Sequence, residues 1–197
     1  MNFIACSTKK SKSDLEVIFT QDTLDVGYTY WWPQSGPFIG GCGEELSLVF
    51  SGTVTQLMEP TNDAGPLYTP QEGIVEIEKV FKIKNLGEKN YGNQKFFSSD
   101  VFHGLDLSVG DLVLVICYDY EGDYTIPGKQ SILKIASFDD ALIASIRTYI
   151  DTDQSALQLK DDVGIWAKKG LGRQLQNIMA CDEDMELVDP ATTEITK

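Results

Sequence analysis

Five segments in the middle of the chain have the composition and spacing of β-strands. Aliphatic, β-branched and aromatic residues dominate them, and turn-forming Gly, Pro and Asn separate them. The fourth segment is apolar at nearly every position, which is typical of a central strand. The predicted strands cover residues 46–57, 73–84, 94–102, 112–118 and 131–136. A shorter strand is also expected at residues 15–21.

The hydrophobic period changes to a helical one after Ser137. Ser137 and Asp140 resemble an N-terminal capping pair, and we predict a helix over residues 138–150. Its apolar face comprises Leu142, Ile143, Ile146, Tyr149 and Ile150. A second, weaker helix is predicted near residues 171–179.

Strands followed by helices indicate a mainly β fold. We predict a five-stranded OB-type Greek-key barrel, because closing the sheet into a barrel removes its exposed strand edges. A C-terminal amphipathic helix and a helical or irregular tail complete it. The length of 197 residues suits one domain with extensions. We expect a tether or residual lipoprotein signal at 1–14, a single OB-like domain at 15–181, and an acidic flexible tail at 182–197.

The charge of the chain excludes one large class of partners. Sixteen Lys and Arg against thirty Asp and Glu give a formal net charge of −14. Nucleic-acid binding needs clustered cations that neutralise phosphates, so we expect no nucleic-acid partner. A surface this acidic favours solubility or a basic protein partner.

The N-terminus resembles the end of a bacterial lipoprotein signal. Phe3, Ile4 and Ala5 precede Cys6, and a polar, basic stretch follows. The basic start and the apolar core of about 7–15 residues that such signals contain do not precede Cys6. We expect lipidation at Cys6 and a location in the cell envelope, as a periplasmic or outer-membrane lipoprotein. The alternative is a cytoplasmic protein with a disordered N-terminus. No stretch has the roughly 18–20 apolar residues of a membrane span.

Three further cysteines, Cys42, Cys117 and Cys181, lack the spacing of a zinc site, and the chain contains one histidine. In an exported protein they would form one disulfide and leave one buried thiol. Barrel geometry would pair Cys42 with Cys117, because the first and fourth strands are neighbours.

A run of large aromatic residues precedes the first long strand in a segment rich in Gly and Pro. Such rings stack on sugars or peptides, so we predict a ligand-binding surface there. The alternative is that the tryptophans plug one end of the barrel. The candidate residues are Tyr28, Tyr30, Trp31, Trp32 and Phe38.

The remaining polar candidates favour structural roles. Asp119, Glu121 and Asp123 offer oxygen ligands for calcium but lack the spacing of a calcium-binding loop, so we expect a solvated acidic hairpin. His103 has no nucleophile and carboxylate in a recognisable pattern around it. We therefore predict no catalytic residue, no metal site and no cofactor.

Three segments together resemble the netrin-like domains, the group that includes the tissue inhibitors of metalloproteinases. Residues 42–54 (CGEELSLVFSGTV) are similar to the first barrel strand of that family and the cysteine before it. Residues 75–82 (VEIEKVFK) and 109–115 (VGDLVLV) are similar to later strands. The resemblance covers about residues 42–150 and is based on the order and spacing of these segments. It implies an OB-type barrel.

The resemblance also implies a disulfide, because the cysteine before the first strand pairs in that family with one beyond the helix. Here that pairing joins Cys42 to Cys181. Protease inhibition by that family requires a free Cys-x-Cys N-terminus that chelates zinc. No such pair precedes Cys42, and lipidation would acylate the amine of Cys6, so this inhibition is not expected.

The function these observations favour is a non-enzymatic binding module of the bacterial cell envelope. Its partner would be an unknown protein, peptide or carbohydrate, and we expect it to act as a monomer. The alternative is a cytosolic acidic partner-binding protein of the immunity type. An enzyme of unknown type comes third.

Overall fold

A computed structural model describes residues 11–28 and 34–188 of the chain. It is mainly β, with a curled open sheet that forms a half-barrel and three helices. The predicted class is therefore confirmed. The strands are β1 (Thr20–Asp25), β2 (Gly27–Tyr28), β3 (Leu46–Leu57), β4 (Gly73–Ile83), β5 (Gln94–Ser99), β6 (Leu112–Tyr120), β7 (Asp123–Ile126) and β8 (Ile132–Ile135). The helices are α1 (Ala141–Asp151), α2 (Val163–Ala167) and α3 (Gly172–Val188).

The sheet has eight strands, whereas five were predicted. Its order is β1-β5-β4-β3-β6-β7-β2, and β8 also pairs with β6. The predicted fifth strand is one half of an interrupted strand, because β7 and β8 pair antiparallel with successive halves of β6. Pro127 lies between the two halves, where its ring removes a backbone donor from the ladder.

One segment near the N-terminus meets both edges of the curled sheet. β1 runs parallel to β5, and the Val26 N–H donates to the Ser98 carbonyl oxygen at 2.9 Å. The chain then crosses over, and β2 pairs parallel with β7. The strand predicted at 15–21 thus begins later, at Thr20. The alternating apolar residues before it pack against the core, but no strand includes them.

Two hydrophobic clusters lie on opposite faces of the sheet. β6 contributes to both, because successive side chains of a strand point to opposite faces. The inner cluster, within the curl, receives Val113, Val115 and Cys117 from β6. The outer cluster, between the sheet and the helices, receives Leu114, Ile116 and Tyr118. Burial on both faces explains the nearly continuous apolar run.

The helix after β8 forms as predicted, but Asp140 is the residue that caps it. The Asp140 carboxylate accepts a hydrogen bond from the Leu142 N–H at 2.9 Å, and its other oxygen accepts from the Ala136 N–H at 2.8 Å. Ser137 instead accepts from the Asp139 N–H. The cap therefore lies closer to the helix than the sequence pattern indicated.

Both ends of the predicted domain extend into segments expected to be loose. α3 continues to Val188, past the expected start of the tail at 182. At the other end Ser13 is fully buried, and its N–H donates to Asp151 at 2.7 Å. Residues 1–10, with Cys6, and residues 189–197 lie outside the described part. Among the residues that are described, no helix is long and apolar enough to cross a membrane.

Candidate functional site

A disulfide joins Cys42, which precedes β3, to Cys181 in α3, with a Cα–Cα distance of 5.3 Å. This pairing is the one that the netrin-like resemblance implies. The alternative with Cys117 is wrong, because the Cys117 side chain points into the inner cluster on the far face of β6. Burial raises the pKa of the Cys117 thiol, so it stays protonated and unreactive.

The structure separates the members of the predicted aromatic surface that it describes. Phe38 is fully buried in the outer cluster, with its ring edge-on to Tyr149 at 5.6 Å and to Trp166 at 4.9 Å. Phe38 thus holds the loop before β3 between the sheet and the helices. Tyr28 is half-buried at the end of β2. Tyr30, Trp31 and Trp32 lie outside the described residues.

Tyr28 belongs to a small aromatic surface with Tyr68 and Asp100, at one end of the curled sheet. The two rings meet edge to face with centroids 5.3 Å apart, and the Tyr68 hydroxyl donates to the Asp100 carboxylate at 2.5 Å. Burial and then the Asp100 carboxylate raise the pKa of Tyr28. The hydroxyl of Tyr28 therefore stays protonated at neutral pH.

The acidic hairpin predicted at 119–123 is the turn between β6 and β7. Glu121 and Gly122 adopt left-handed backbone conformations, with φ of 55° and 84°. Asp119 pairs with Lys84 at 3.2 Å and Asp123 with Lys89 at 2.6 Å. Among the described residues, no group of three or more His, Cys, Asp or Glu side chains could hold a metal ion.

His103 lies half-buried in the turn after β5. No hydrogen bond or ion pair joins its side chain to another residue of the described ranges. Neither the sequence pattern around His103 nor the structure of residues 11–28 and 34–188 therefore provides this histidine with a catalytic partner.

A cleft of about 610 Å³ opens beside the disulfide, and sequence analysis did not identify it. Its walls come from the segment before β3, from β4, from the end of α1 and from α3, so no local pattern could indicate it. Polar and charged side chains line most of it. They include Glu45, Lys82, Tyr149, Asp153, Gln154 and Asp182.

The electrostatics of this cleft suit binding through hydrogen bonds and charge. Burial alone would raise the pKa of Glu45, but hydrogen bonds from Lys82 and Lys84 outweigh it and lower that pKa. Burial, and then the Asp182 carboxylate, raises the pKa of Tyr149 to about 12. At neutral pH the lining of the cleft therefore includes an ionised Glu45 carboxylate, paired with Lys82 and Lys84, and the neutral phenol of Tyr149.

Comparison with protein-family models, with curated proteins and with solved structures finds no match to this chain.

Proposed function

We propose that this chain is a binding module of the bacterial cell envelope, built on a netrin-like barrel of OB type and tethered through a lipid on Cys6. The observation that carries the proposal is the Cys42–Cys181 disulfide. Disulfides persist in oxidising compartments and are rare in the cytosol. The resemblance to netrin-like domains implies the same pairing.

The strand pairings support the OB-type barrel. β3, the first predicted strand, pairs with β4 and with β6, which are the second and fourth. β5 continues the sheet beyond β4, and β7 with β8 continues it beyond β6. The five predicted strands thus form one curled sheet in the order 3-2-1-4-5, and the segment containing β1 and β2 meets both of its edges.

The binding surface we propose lies at the Tyr28 end of the sheet, where the predicted aromatic run begins. Tyr28 and Tyr68 form the described part of this surface, and Asp100 adds an acceptor beside them. Aromatic rings with polar tips combine apolar contact area with hydrogen bonding, which is what peptide and carbohydrate ligands require.

The net charge of −14 favours a second candidate, a cytosolic acidic protein that neutralises a basic partner. The two candidates differ in compartment. A cytosolic protein would be kept reduced at Cys42 and Cys181, whereas an exported one would carry the disulfide.

Metabolic labelling tests the export proposal directly. The gene is expressed with its native upstream sequence in a bacterial host that is fed a labelled fatty acid. We expect the wild-type protein to incorporate label and to fractionate with membranes, and the Cys6→Ser variant to lose both properties. A wild-type protein without label in the cytosolic fraction would favour the second candidate.

A further inference from the structure

The Cys42–Cys181 bridge can be reached from solvent in the folded protein. Cys42 is exposed and lines the cleft of about 610 Å³, whereas Cys181 is half-buried. The residues directly before and after Cys42 are Gly41 and Gly43, so its chain neighbours have no side chains that could cover the sulfur. Thiol–disulfide exchange requires a thiolate to reach one of the two sulfurs. Cys42 is therefore the sulfur that an attacking thiolate would reach.

The C-terminal end of α3 has little apolar contact with the rest of the fold. Ile178 is the last residue of α3 in the buried outer cluster, and Met179 packs against that cluster in part. Beyond them Glu183, Asp184 and Met185 are exposed. Most of the stability of a helix in a protein comes from packing of its apolar face. The end of α3 must therefore be held in another way.

The charges at this end of α3 also oppose helix formation. Asp182, Glu183 and Asp184 follow one another near the C-terminus of the helix, and its last turn contains no basic residue. The helix dipole is negative at that end, so carboxylates there are unfavourable. Packing and charge thus both leave the end of α3 dependent on specific attachments.

One covalent link and one hydrogen bond attach this end of α3 among the bonds of the described residues. The link is the bridge from Cys181 to Cys42. The hydrogen bond is donated by the Ala156 N–H to the Asp182 carboxylate at 2.8 Å. Asp182 and Met185 also form part of the wall of the cleft. Breaking the bridge would leave this wall attached by the hydrogen bond.

We propose that the Cys42–Cys181 bridge is a redox gate of the cleft, which a protein dithiol opens in the folded state. A thiolate of the dithiol bonds to Sγ of Cys42, the bond to Cys181 breaks, and its electron pair leaves on Sγ of Cys181, which takes a proton from water. The second thiolate of the dithiol then displaces Cys42, which also leaves as a thiol after protonation. The dithiol is thereby oxidised to a disulfide, and this chain gains two thiols. The end of α3 then moves away and widens the cleft.

Reduction kinetics test whether the bridge opens in the folded protein. The full-length oxidised protein is treated with dithiothreitol, the dithiol probe, at several concentrations, and the thiols formed are alkylated. We expect the rate of reduction to rise in proportion to the concentration of dithiothreitol. Gly52→Ala is the control for unfolding, because a Cβ at this position would lie 2.3 Å from the Glu76 carbonyl oxygen and so destabilise the sheet. It should be reduced at the wild-type rate.

The sulfur that is attacked first is identified with a monothiol. The oxidised protein is treated briefly with glutathione, alkylated and mapped by mass spectrometry. We expect glutathione on Cys42 and the alkyl group on Cys181, because Cys42 is the exposed partner. Glutathione found on Cys181 alone would contradict attack from the cleft.

Hydrogen exchange tests whether the wall moves. In the reduced wild type we expect the amides of residues 182–188 to exchange at least about tenfold faster than in the oxidised protein, while the amides of β6 stay protected. Cys42→Ala should show this fast exchange without any reductant. Cys117→Ala keeps the bridge and should match the wild type at residues 182–188 in both redox states.

Three results would overturn the proposal. The first is a rate of reduction that becomes independent of dithiothreitol and rises in Gly52→Ala, since the bridge would then open only by unfolding. The second is unchanged exchange of residues 182–188 on reduction. The third is exchange of the β6 amides as fast as that of residues 182–188, since the bridge would then hold the whole fold and not one wall. None of them bears on labelling at Cys6, so this inference and the proposed function fail separately.

Discussion

At residue 52 the sheet has no room for a side chain. A Cβ on Gly52 would lie 2.3 Å from the Glu76 carbonyl oxygen and 2.8 Å from a methyl group of Val75. The pairing of β3 with β4 also shifts register at this position. Glycine therefore permits β3 to bend closely against its neighbour.

We expect Gly52→Ala to lower the free energy of unfolding by about 1–3 kcal/mol, because the backbone of β4 must move. Gly164→Ala in α2 is the matched control. Nothing lies within 4 Å of a Cβ there. Alanine should stabilise that helical position by about 0.5–1 kcal/mol. Urea unfolding of both variants measures the difference, and equal effects of the same sign would contradict this account of the bend.

The buried phenol of Tyr149 makes stability depend on pH in the alkaline range. Its folded pKa is raised to about 12, whereas an unfolded tyrosine titrates near pH 10. Below pH 10 both states hold the proton and stability is unaffected. Between about pH 10 and 12 only the unfolded state loses it, so stability falls by about 1.4 kcal/mol per pH unit for this group. Urea unfolding between pH 8 and 11 should show that the free energy of unfolding falls less steeply in Tyr149→Phe than in the wild type. Equal slopes would argue against a raised pKa of Tyr149 in the folded state.

Among the elements, the segment before β1 is docked by hydrogen bonds to the end of α1. Asp151 accepts from the Ser13 N–H at 2.7 Å and from the Ser11 hydroxyl at 2.6 Å, while Arg147 donates to the Ser13 hydroxyl at 3.0 Å. Burial would raise the pKa of Asp151, but these hydrogen bonds and Arg147 lower it. The docking is therefore complete above the unfolded pKa near 4 and weakens as the pH falls below it.

Hydrogen exchange of the Ser13 amide reports this docking. Asp151→Ala removes the acceptor, so we expect that amide to exchange much faster at neutral pH. Asp153→Ala is the control, since it removes the exposed ion pair with Lys12 and leaves the Asp151 acceptor in place, and exposed pairs contribute little. Protection of the Ser13 amide that survives Asp151→Ala would show that packing alone holds the segment.

The elements that the sequence predicted are those with a local pattern. β3, β6 and α1 each contain a recognisable hydrophobic pattern, and each formed within a few residues of its expected bounds. The bounds of β1 could not be predicted, and the strand expected at 15–21 lies mostly before it, because all but one of the residues of β1 are exposed and its partner β5 is distant in the chain. The cleft beside the disulfide was missed for the same reason, since its walls come from segments that only the fold brings together.

At the scale of the whole molecule, the disulfide closes a loop that spans 139 positions. In the chain-entropy account a loop of this length stabilises the fold by about 5 kcal/mol. We expect a reductant to lower the midpoint of urea unfolding of the wild type. Cys42→Ala should begin at that lower value and be insensitive to reductant.

The control for this prediction is Cys117→Ala, which removes the buried thiol and keeps the bridge. It should lose stability through the cavity it creates and remain as sensitive to reductant as the wild type. A wild-type midpoint that does not change with reductant would show that the bridge contributes nothing to stability.

The proposed export depends on the covalent link between Cys42, before β3, and Cys181 in α3. Peptide mapping without reduction tests it most directly, on protein produced with its native upstream sequence and alkylated during lysis. We expect one linked peptide pair that contains Cys42 and Cys181, with Cys117 alkylated after denaturation. Cys42 linked to Cys117, or Cys42 and Cys181 both recovered as alkylated thiols, would contradict it.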